Sequence, residues 1–312
     1  MNVLFESILS YQFVAMWLRV ATPLIFTSLG AVICEKAGVV NLGLEGIMLT
    51  TALMGVVGSA FSGNLYIGVL CAVATGIVIS LVFAYFHLVL KANNVLCGTA
   101  INTLASGFTV FLLQVLTGEK GNSSALKSFS FKSWDIPVIG DIPVIGDLLS
   151  GHNVLTYVAF LMVFVVWFLL FKTPLGLRLR AVGENEQAIN SVGINVIKMR
   201  LIAIILCGVL TSFGGVFLSM AYLNMFVRDM TSGRGFISLA ACAMGQASPV
   251  GTMVSALIFA FFDGLSNILQ LLKVPSEFVQ MLPYLATIAG LVIYSIQKTA
   301  SENKKIRGLA NA

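Results

Sequence analysis

Charged residues are scarce in this sequence. Only 10% of its 312 residues are Asp, Glu, Lys or Arg, whereas an ordinary soluble domain has about 25%. A soluble protein of this length needs polar side chains to cover its surface, and this chain has too few of them. The shortage excludes a water-soluble enzyme and a disordered segment. It also excludes a basic nucleic-acid-binding module, although the formal net charge is +5.

Groups that commonly carry chemistry are scarce as well. The chain has two histidines and five cysteines, and none of them is spaced from another as metal ligands usually are. We interpret the cysteines, which lie in or beside apolar runs, as small packing residues. A Walker A motif and a nucleophile elbow are also missing from the sequence. We therefore predict no metal site, no cofactor and no enzyme activity in this chain, and any ATP that it uses must be bound elsewhere.

Long apolar runs dominate what remains. Hydrophobic residues make up 58% of the chain and the mean hydropathy is +0.97, and about 20 apolar residues are enough to cross a bilayer as a helix. We predict an all-α, polytopic transmembrane bundle of about nine spans, at 12–33, 42–62, 66–90, 95–116, 153–171, 200–223, 234–247, 250–271 and 276–297. The seventh is short and glycine-containing. We expect it to be a broken or re-entrant helix, which is allowed at membrane depth only under a cover of protein or a polar cavity.

Basic residues predict the orientation of this single domain, residues 1–312. Lys and Arg collect in loops that face the cytoplasm, and here they collect in the loop 172–199 and the tail 298–312. Counting spans back from these segments places the loop 117–152 and the N-terminus outside. The outer loop contains a tandem repeat of Ile-Pro-Val-Ile-Gly-Asp at 136–147. We interpret the repeat as a docking surface or as a tolerated duplication.

Two polar residues lie at the start of the second predicted span. Asn41 and Glu45 are four residues apart, so they would share a face of a helix, and Gly38, Gly43 and Gly46 allow close approach of backbone. A carboxylate near a helix N-terminus is also stabilised by the helix dipole. The pair is either a capped helix end at the water interface or a structured element at the cytoplasmic mouth of a pathway.

Asp263 is the acidic residue that lies well inside a predicted span. Inserting a charge there costs about 2.5–3.5 kcal/mol, so such a side chain usually faces a cavity or a partner. Asn267 lies one helical turn further on and would share its face. The residue is either a substrate or proton site or a hydrogen-bonded packing residue. Asn102 and Gln246 are further polar side chains in the predicted spans, where buried amides often join helices.

The loop 172–199 contains a stretch with helical character. Residues 184–190 favour a helix, and Gly193 is a plausible stop. Apolar side chains leave one side of the stretch able to bind a surface. Such a helix docks into a groove of another protein or lies on lipid headgroups, and its mixed charge favours docking.

Several stretches together resemble the permeases of ABC importers. They are ATPLIFTSLGAVICEKAGVVNLGLEGIMLTTAL at 21–53, GTAINTLASGFT at 98–109, TPLGLRLRAVGENEQAINSVGI at 173–194 and GRGFISLAACAMGQASPVG at 233–251. The resemblance extends from about residue 15 to residue 297. It is to the branched-chain amino acid and ribose-type family, and within it to the nucleoside and simple-sugar branch.

This resemblance implies a multi-pass subunit of the bacterial plasma membrane. It would pair with a second permease chain, as a homodimer or a heterodimer, and with cytoplasmic ATPases that bind ATP and Mg, while a binding protein delivers the solute from outside. The loop 172–199 would be the coupling segment. The implied ATPase-coupling residues are Gly183, Glu184, Asn185, Ala188, Gly193 and Ile194. The predicted residues of the translocation path are Asn41, Glu45, Asn102, Gln246, Asp263 and Asn267.

The expected function is therefore import of nucleosides or related small solutes, driven by ATP hydrolysis in partner subunits. Import of simple sugars or branched-chain amino acids is an alternative within the same family. A second class of function is a self-sufficient transporter that uses Asp263 as its proton or ion site. A membrane scaffold without transport activity is a third.

Overall fold

The computed structural model describes residues 11–134 and 151–270, together with isolated positions between 281 and 296. Helices dominate these residues, as the all-α prediction requires. Seven of the described helices are long and apolar enough to cross a membrane, and each coincides with a predicted span. The tandem repeat at 136–147 lies outside the described residues, and so does most of the ninth predicted span.

Ten α-helices make up the described part of the chain. They are α1 (Tyr11–Lys36), α2 (Leu44–Ser62), α3 (Leu65–Ala84), α4 (Asn94–Thr117), α5 (Val154–Lys172), α6 (Pro174–Glu184), α7 (Glu186–Ser191), α8 (Val196–Phe217), α9 (Arg234–Met244) and α10 (Pro249–Gln270). One π-helical turn, Tyr85–Val89, extends α3, and another, Leu218–Tyr222, extends α8. Between α4 and α5, β1 (Ser133–Trp134) pairs with β2 (His152–Asn153) in an antiparallel ribbon.

Asparagine or threonine begins most of these helices. The side chains that accept a hydrogen bond from the first turn are Asn64, Asn93, Asn153, Thr173, Asn185 and Asn195. One of them corrects a prediction. The stretch 184–190 is not one helix, because Asn185 has an extended backbone and its Oδ1 accepts the Ala188 N–H at 3.0 Å. Glu184 therefore ends α6, and α7 begins after the break.

Small residues let α1 and α8 pack closely at the centre of the bundle. A Cβ added to Gly30 of α1 would lie 2.9 Å from the carbonyl oxygen of Cys207 on α8, and one on Gly214 of α8 would lie 3.1 Å from that of Pro23 on α1. The first distance is shorter than real Cβ contacts, and the second is tighter than most of them. Helix association within membranes depends on such close packing, because lipid is as apolar as the helices themselves.

Contacts along α1 show the directions of its neighbours. Leu24 of α1 accepts a hydrogen bond from Ser238 of α9, and Glu35 near the end of α1 accepts one from Cys242, so α1 and α9 are parallel. We call the end of the bundle that contains Lys36 and α6–α7 the base. The opposite end, with β1 and β2, is the ribbon end.

Helix α9 does not cross the bundle by itself. Its 11 residues span about 16 Å, whereas the hydrocarbon core of a bilayer is about 30 Å thick. The non-helical residues 223–233 supply the remaining length. They start at the ribbon end, where the Phe226 N–H donates to Ser123 Oγ at 2.8 Å. The seventh predicted span is thus a short helix with a long non-helical lead, much of which is exposed before Gly233.

Candidate functional site

The first part of the site is the non-helical segment 37–43 between α1 and α2. At its start, Arg200 Nε of α8 donates to the carbonyl oxygen of Ala37 at 3.4 Å. Near its end, Asn41 Nδ2 donates to Cys207 Sγ, also of α8, at 3.7 Å. These two α8 residues are about 10 Å apart along the helix axis. The segment therefore enters the bundle from the base, and α2 begins inside it.

Asn102 of α4 caps the start of α2. Helix α2 has no side-chain cap of its own at Gly43. Instead, Asn102 Oδ1 accepts the Gly46 N–H at 2.8 Å, while its Nδ2 donates to the carbonyl oxygen of Leu42 at 2.9 Å. Asn41 is fully buried just ahead of the helix, and its Oδ1 accepts the Gly43 N–H at 3.0 Å. Because Asn41 precedes α2, it does not share a helical face with Glu45.

Glu45 caps the start of α9. Its Oε1 accepts the Gly233 N–H at 2.8 Å and its Oε2 accepts the Gly235 N–H at 2.6 Å. Helix α9 has no side-chain cap of its own at Gly233. The first N–H groups of a helix have no partner within it, and the positive end of the helix dipole attracts a carboxylate. A residue of the first turn of α2 therefore satisfies the N-terminus of a helix that is 188 residues away in sequence.

Asp263 of α10 is paired with a cation. Arg234 Nη2, at the start of α9, lies 3.0 Å from Asp263 Oδ2, and the two side chains are 17% and 18% exposed. Arg234 Nη1 also donates to the carbonyl oxygen of Met230 at 3.3 Å. The ion pair joins α9 to α10 next to the Glu45 contact. We refer to Asn41, Glu45, Asn102, Arg234 and Asp263 together as the polar node.

The other two predicted path residues lie outside the polar node. Gln246 is exposed in the turn between α9 and α10, with a left-handed backbone at φ +55°. It is at the base end of α9, about 16 Å along the helix from Arg234. Asn267 is half-buried on α10, one turn beyond Asp263. The structure thus brings Asn41, Glu45, Asn102 and Asp263 into the polar node. It leaves Gln246 apart from them and places Asn267 one turn beyond Asp263.

Arg234 and its flanking glycines were not among the predicted site residues. Gly233 and Gly235 offer backbone N–H groups, and Arg234 offers the cation that pairs with Asp263. A sequence signal does exist for Arg234. It begins the seventh predicted span, and an arginine at membrane depth needs a partner as much as an acid does.

The predicted coupling residues lie at the base of the bundle. Gly183, Glu184, Asn185, Ala188 and Gly193 are exposed, and Ile194 is half-buried. Helices α6 and α7 nevertheless touch the segment 37–43. Arg200, which binds Ala37, also forms an ion pair with Glu186 of α7 at 3.1 Å. A Cβ on Gly38 would lie 3.3 Å from the Cα of Gly183.

Helix α4 has an open face on the same side of the bundle as Asn102. A groove of about 700 Å³ runs along it and includes the hydroxyls of Thr99 and Thr103 and the ring of Phe108. Thr99 and Thr103 are exposed, and Asn102 beside them is half-buried. The face is therefore apolar overall, with hydroxyl groups at helical spacing.

Comparisons with known proteins match almost the whole chain. The family model described as branched-chain amino acid transport system / permease component matches residues 13–297. The nucleoside ABC transporter permease protein NupC of Lactococcus lactis is 37% identical over 90% of this chain and 91% of its own length. The guanosine ABC transporter permease protein NupQ of Bacillus subtilis is 39% identical over 87% and 88%. Each organism has a second, less similar relative, NupB at 24% and NupP at 27% identity.

A solved structure supports the same assignment at the level of the fold. A chain assigned to a metal-chelate type ABC transporter, in an inward-facing conformation, superposes with a TM-score of 0.54. The match covers 95% of this chain and 89% of that one at 16% sequence identity, so it supports the fold alone. The chain belongs to the family of ABC transporter permease components of the branched-chain amino acid transport type.

Proposed function

We propose that this chain is the transmembrane permease subunit of an ATP-driven importer of nucleosides. The observation that carries the proposal is similarity along almost the full length to two permeases whose names specify nucleosides or guanosine. We further propose that residues 1–312 form one domain of nine spans in a bacterial plasma membrane. The loop 117–152 and the N-terminus would be outside, and the loop 172–199 and the tail 298–312 would be cytoplasmic.

The proposed partners are a second permease chain, two cytoplasmic ATPases and an external solute-binding protein. Two of the organisms that contain a close relative also contain a more distant one of the same type. This pairing favours a heterodimer, with the more distant type as the second chain. ATP and Mg would be bound by the ATPases.

The proposed solute path runs between the open face of α4 and the second permease chain. Glu45, Asn102, Asp263 and Asn267 would border it on one side, and Gln246 would lie near its base. The fully buried Asn41 would hold the start of α2 behind this border. The groove along α4 supports this placement, because it combines hydroxyl groups with aromatic surface. A nucleoside has the matching chemistry, with hydroxyls on the sugar and a flat aromatic base. In this arrangement Asp263 is committed to the ion pair with Arg234 at 3.0 Å, and we assign it to holding α9 against α10.

Helices α6 and α7 are the proposed docking site of one ATPase. Their exposed residues at the base support this role, as do their contacts with the segment 37–43. Movement of the ATPases would displace these helices and shift the bundle between outward-facing and inward-facing states. The test combines Glu184→Ala with Gly193→Leu and measures how much ATPase co-purifies with the permease. We expect reduced recovery, and unchanged recovery with unchanged uptake would contradict the docking assignment.

Substrate class is tested by uptake in bacterial cells that lack the native gene. Cells expressing the complete importer are given labelled guanosine together with an excess of an unlabelled competitor. Nucleosides should compete, whereas ribose, glucose and leucine should not. Competition by a sugar or by leucine, with none by nucleosides, would refute the nucleoside proposal and leave the ABC permease family intact.

A further inference from the structure

The contact between Glu45 and α9 is the starting point of the inference. It joins two helices that both begin inside the bundle, and it uses both oxygens of one carboxylate. The hydrogen bonds are short, at 2.8 and 2.6 Å, as expected when the acceptor carries a charge. Since α9 has no cap of its own, Glu45 fixes where this helix begins.

Local backbone geometry is adapted to this contact. Gly233 has a left-handed backbone, with φ at +76°, which suits glycine better than any other residue. A Cβ on Gly235 would lie 2.5 Å from the backbone nitrogen of Glu45 and 2.6 Å from its Cα. Only glycine fits there without a shift of one backbone or the other. The N-terminus of α9 therefore lies directly against the first turn of α2.

The same turn of α2 is connected to the coupling helices at the base. Arg200 binds the carbonyl oxygen of Ala37 and the carboxylate of Glu186 at once. Gly183 at the end of α6 packs on Lys36 and Gly38. The seven residues from Ala37 to Gly43 then lead directly into α2. A displacement of α6 and α7 thus acts on a short segment that ends two residues before Glu45.

The end of the segment 37–43 that leads into α2 is held in place. Asn102 binds Leu42 and Gly46 on both sides of the start of α2, and Asn41 is buried against α8. A segment that is held at both ends transmits a displacement better than a free loop does. The displacement of the segment 37–43 would reach α9 through the Glu45 carboxylate, because this side chain forms the hydrogen bonds between α2 and α9.

We propose that Glu45 is a positioning residue for transport, whose carboxylate links the coupling helices to α9. The linkage rests on the proposed importer function. When the ATPases move α6 and α7, the segment 37–43 moves the first turn of α2, and Glu45 carries the N-terminus of α9 with it. Arg234 and Asp263 then pass the movement to α10. Glu45 thus shapes the path by holding a helix and does not need to touch the solute.

The test measures solute imported per ATP hydrolysed by the complete importer in proteoliposomes. In Glu45→Gln the side chain keeps its size but loses its charge, and its amide group faces a backbone N–H donor. We expect the ratio to fall about tenfold, the factor that corresponds to one lost charge-assisted hydrogen bond. ATPase recovery and the half-saturating solute concentration should stay within a factor of about two. Glu45→Asp keeps the carboxylate and should restore part of the ratio.

Glu35→Gln is the matched control. Glu35 also accepts a hydrogen bond from α9, from Cys242 Sγ at 3.0 Å, but it is exposed and lies at the base end of that helix. The control should keep the wild-type ratio. A wild-type ratio in Glu45→Gln would overturn the proposal. So would a changed half-saturating concentration with an unchanged ratio, because Glu45 would then be a solute contact.

Hydrogen exchange in the wild-type importer is a second test that does not require any variant to fold. The amide N–H groups of Gly233 and Gly235 should exchange at different rates with and without an ATP analogue bound to the ATPases. Equal exchange in both states would overturn the proposal even if Glu45→Gln fails to fold. Absence of ATP-dependent uptake by the wild type would refute the importer function itself, whereas normal wild-type coupling with a normal Glu45→Gln variant would refute only the role of Glu45.

Discussion

The ion pair between Arg234 and Asp263 gives a prediction that separates two roles for an acid inside the bundle. If Asp263 serves to pair with Arg234, removing either partner leaves the other charge partly buried and unmatched. Breaking a fully buried pair costs about 3–5 kcal/mol. These side chains are 17% and 18% exposed, so water screens part of the loss, and we expect Asp263→Asn to lower the free energy of unfolding by about 2 kcal/mol.

The double variant makes the prediction specific. Arg234→Met removes the cation, so Asp263→Asn in that background no longer leaves an unmatched charge. Contacting residues couple by about 0.5–3 kcal/mol in such cycles, and we expect about 1–2 kcal/mol here because the pair is a direct charge-assisted contact. The measurement is thermal unfolding of the purified permease in detergent for the four proteins of the cycle, together with ATP-dependent uptake by each.

Strict additivity of the two substitutions would refute the pairing argument. A stable Asp263→Asn variant that loses all uptake driven by a proton gradient, whether or not Arg234 is present, would refute the assignment of Asp263 as a paired residue. That result would favour a coupling-ion site. Uptake that stays ATP-dependent in the double variant would support the structural role.

Three further predictions follow from the packing. Asn102→Ala removes both hydrogen bonds that hold the start of α2 and should lower the free energy of unfolding by about 2 kcal/mol. Thr103→Ala, at an exposed position of the same helix, should change it little. Thermal unfolding of the two variants measures the difference in stability. Gly208→Val would place its Cβ 2.9 Å from the carbonyl oxygen of Gly76, and such overpacking should lower the free energy of unfolding by about 1–3 kcal/mol. The control is Gly121→Ala, where the added Cβ meets no atom within 4 Å. Equal stabilities of the two variants would contradict the close approach of α3 and α8. Gly183→Val would press on the backbone of Lys36 and should reduce uptake per ATP, and a normal ratio would contradict transmission through that contact.

The sequence predicted the long helices well, because their apolar runs are continuous. Each of the seven long described helices matches a predicted span. A short seventh element was also expected from its glycines, and α9 ends at Met244 just before Gly245. In these segments local composition alone decides the structure, since a backbone in lipid must form its hydrogen bonds within the helix.

The polar contacts were only partly predictable. Asn41, Glu45, Asn102 and Asp263 stand out as polar residues in apolar surroundings, but hydropathy does not say what they bind. Their partners are distant in sequence, as the 188 residues between Glu45 and Gly233 show. Helices α2 and α9 start at glycines without caps of their own, and a missing local cap is a sequence signal that could have indicated a distant one.

The break at Asn185 has a different cause. Residues 184–190 favour a helix by composition, but Asn is among the best N-cap residues. Its side chain satisfies the Ala188 N–H, so a new helix begins there. At Asn185 the preference of asparagine for the N-cap position outweighs the helix propensity of the neighbouring residues. The spacing of apolar residues does not indicate where such a cap interrupts a helix.

The measurement that tests the central claim most directly is reconstitution with one component omitted at a time. Proteoliposomes would contain this chain, the second permease, the ATPase and the binding protein, and uptake of labelled guanosine would be followed with ATP inside. We predict uptake only when all four proteins and ATP are present. Uptake by this chain alone under a proton or sodium gradient would contradict the account and make Asp263 the first residue to re-examine.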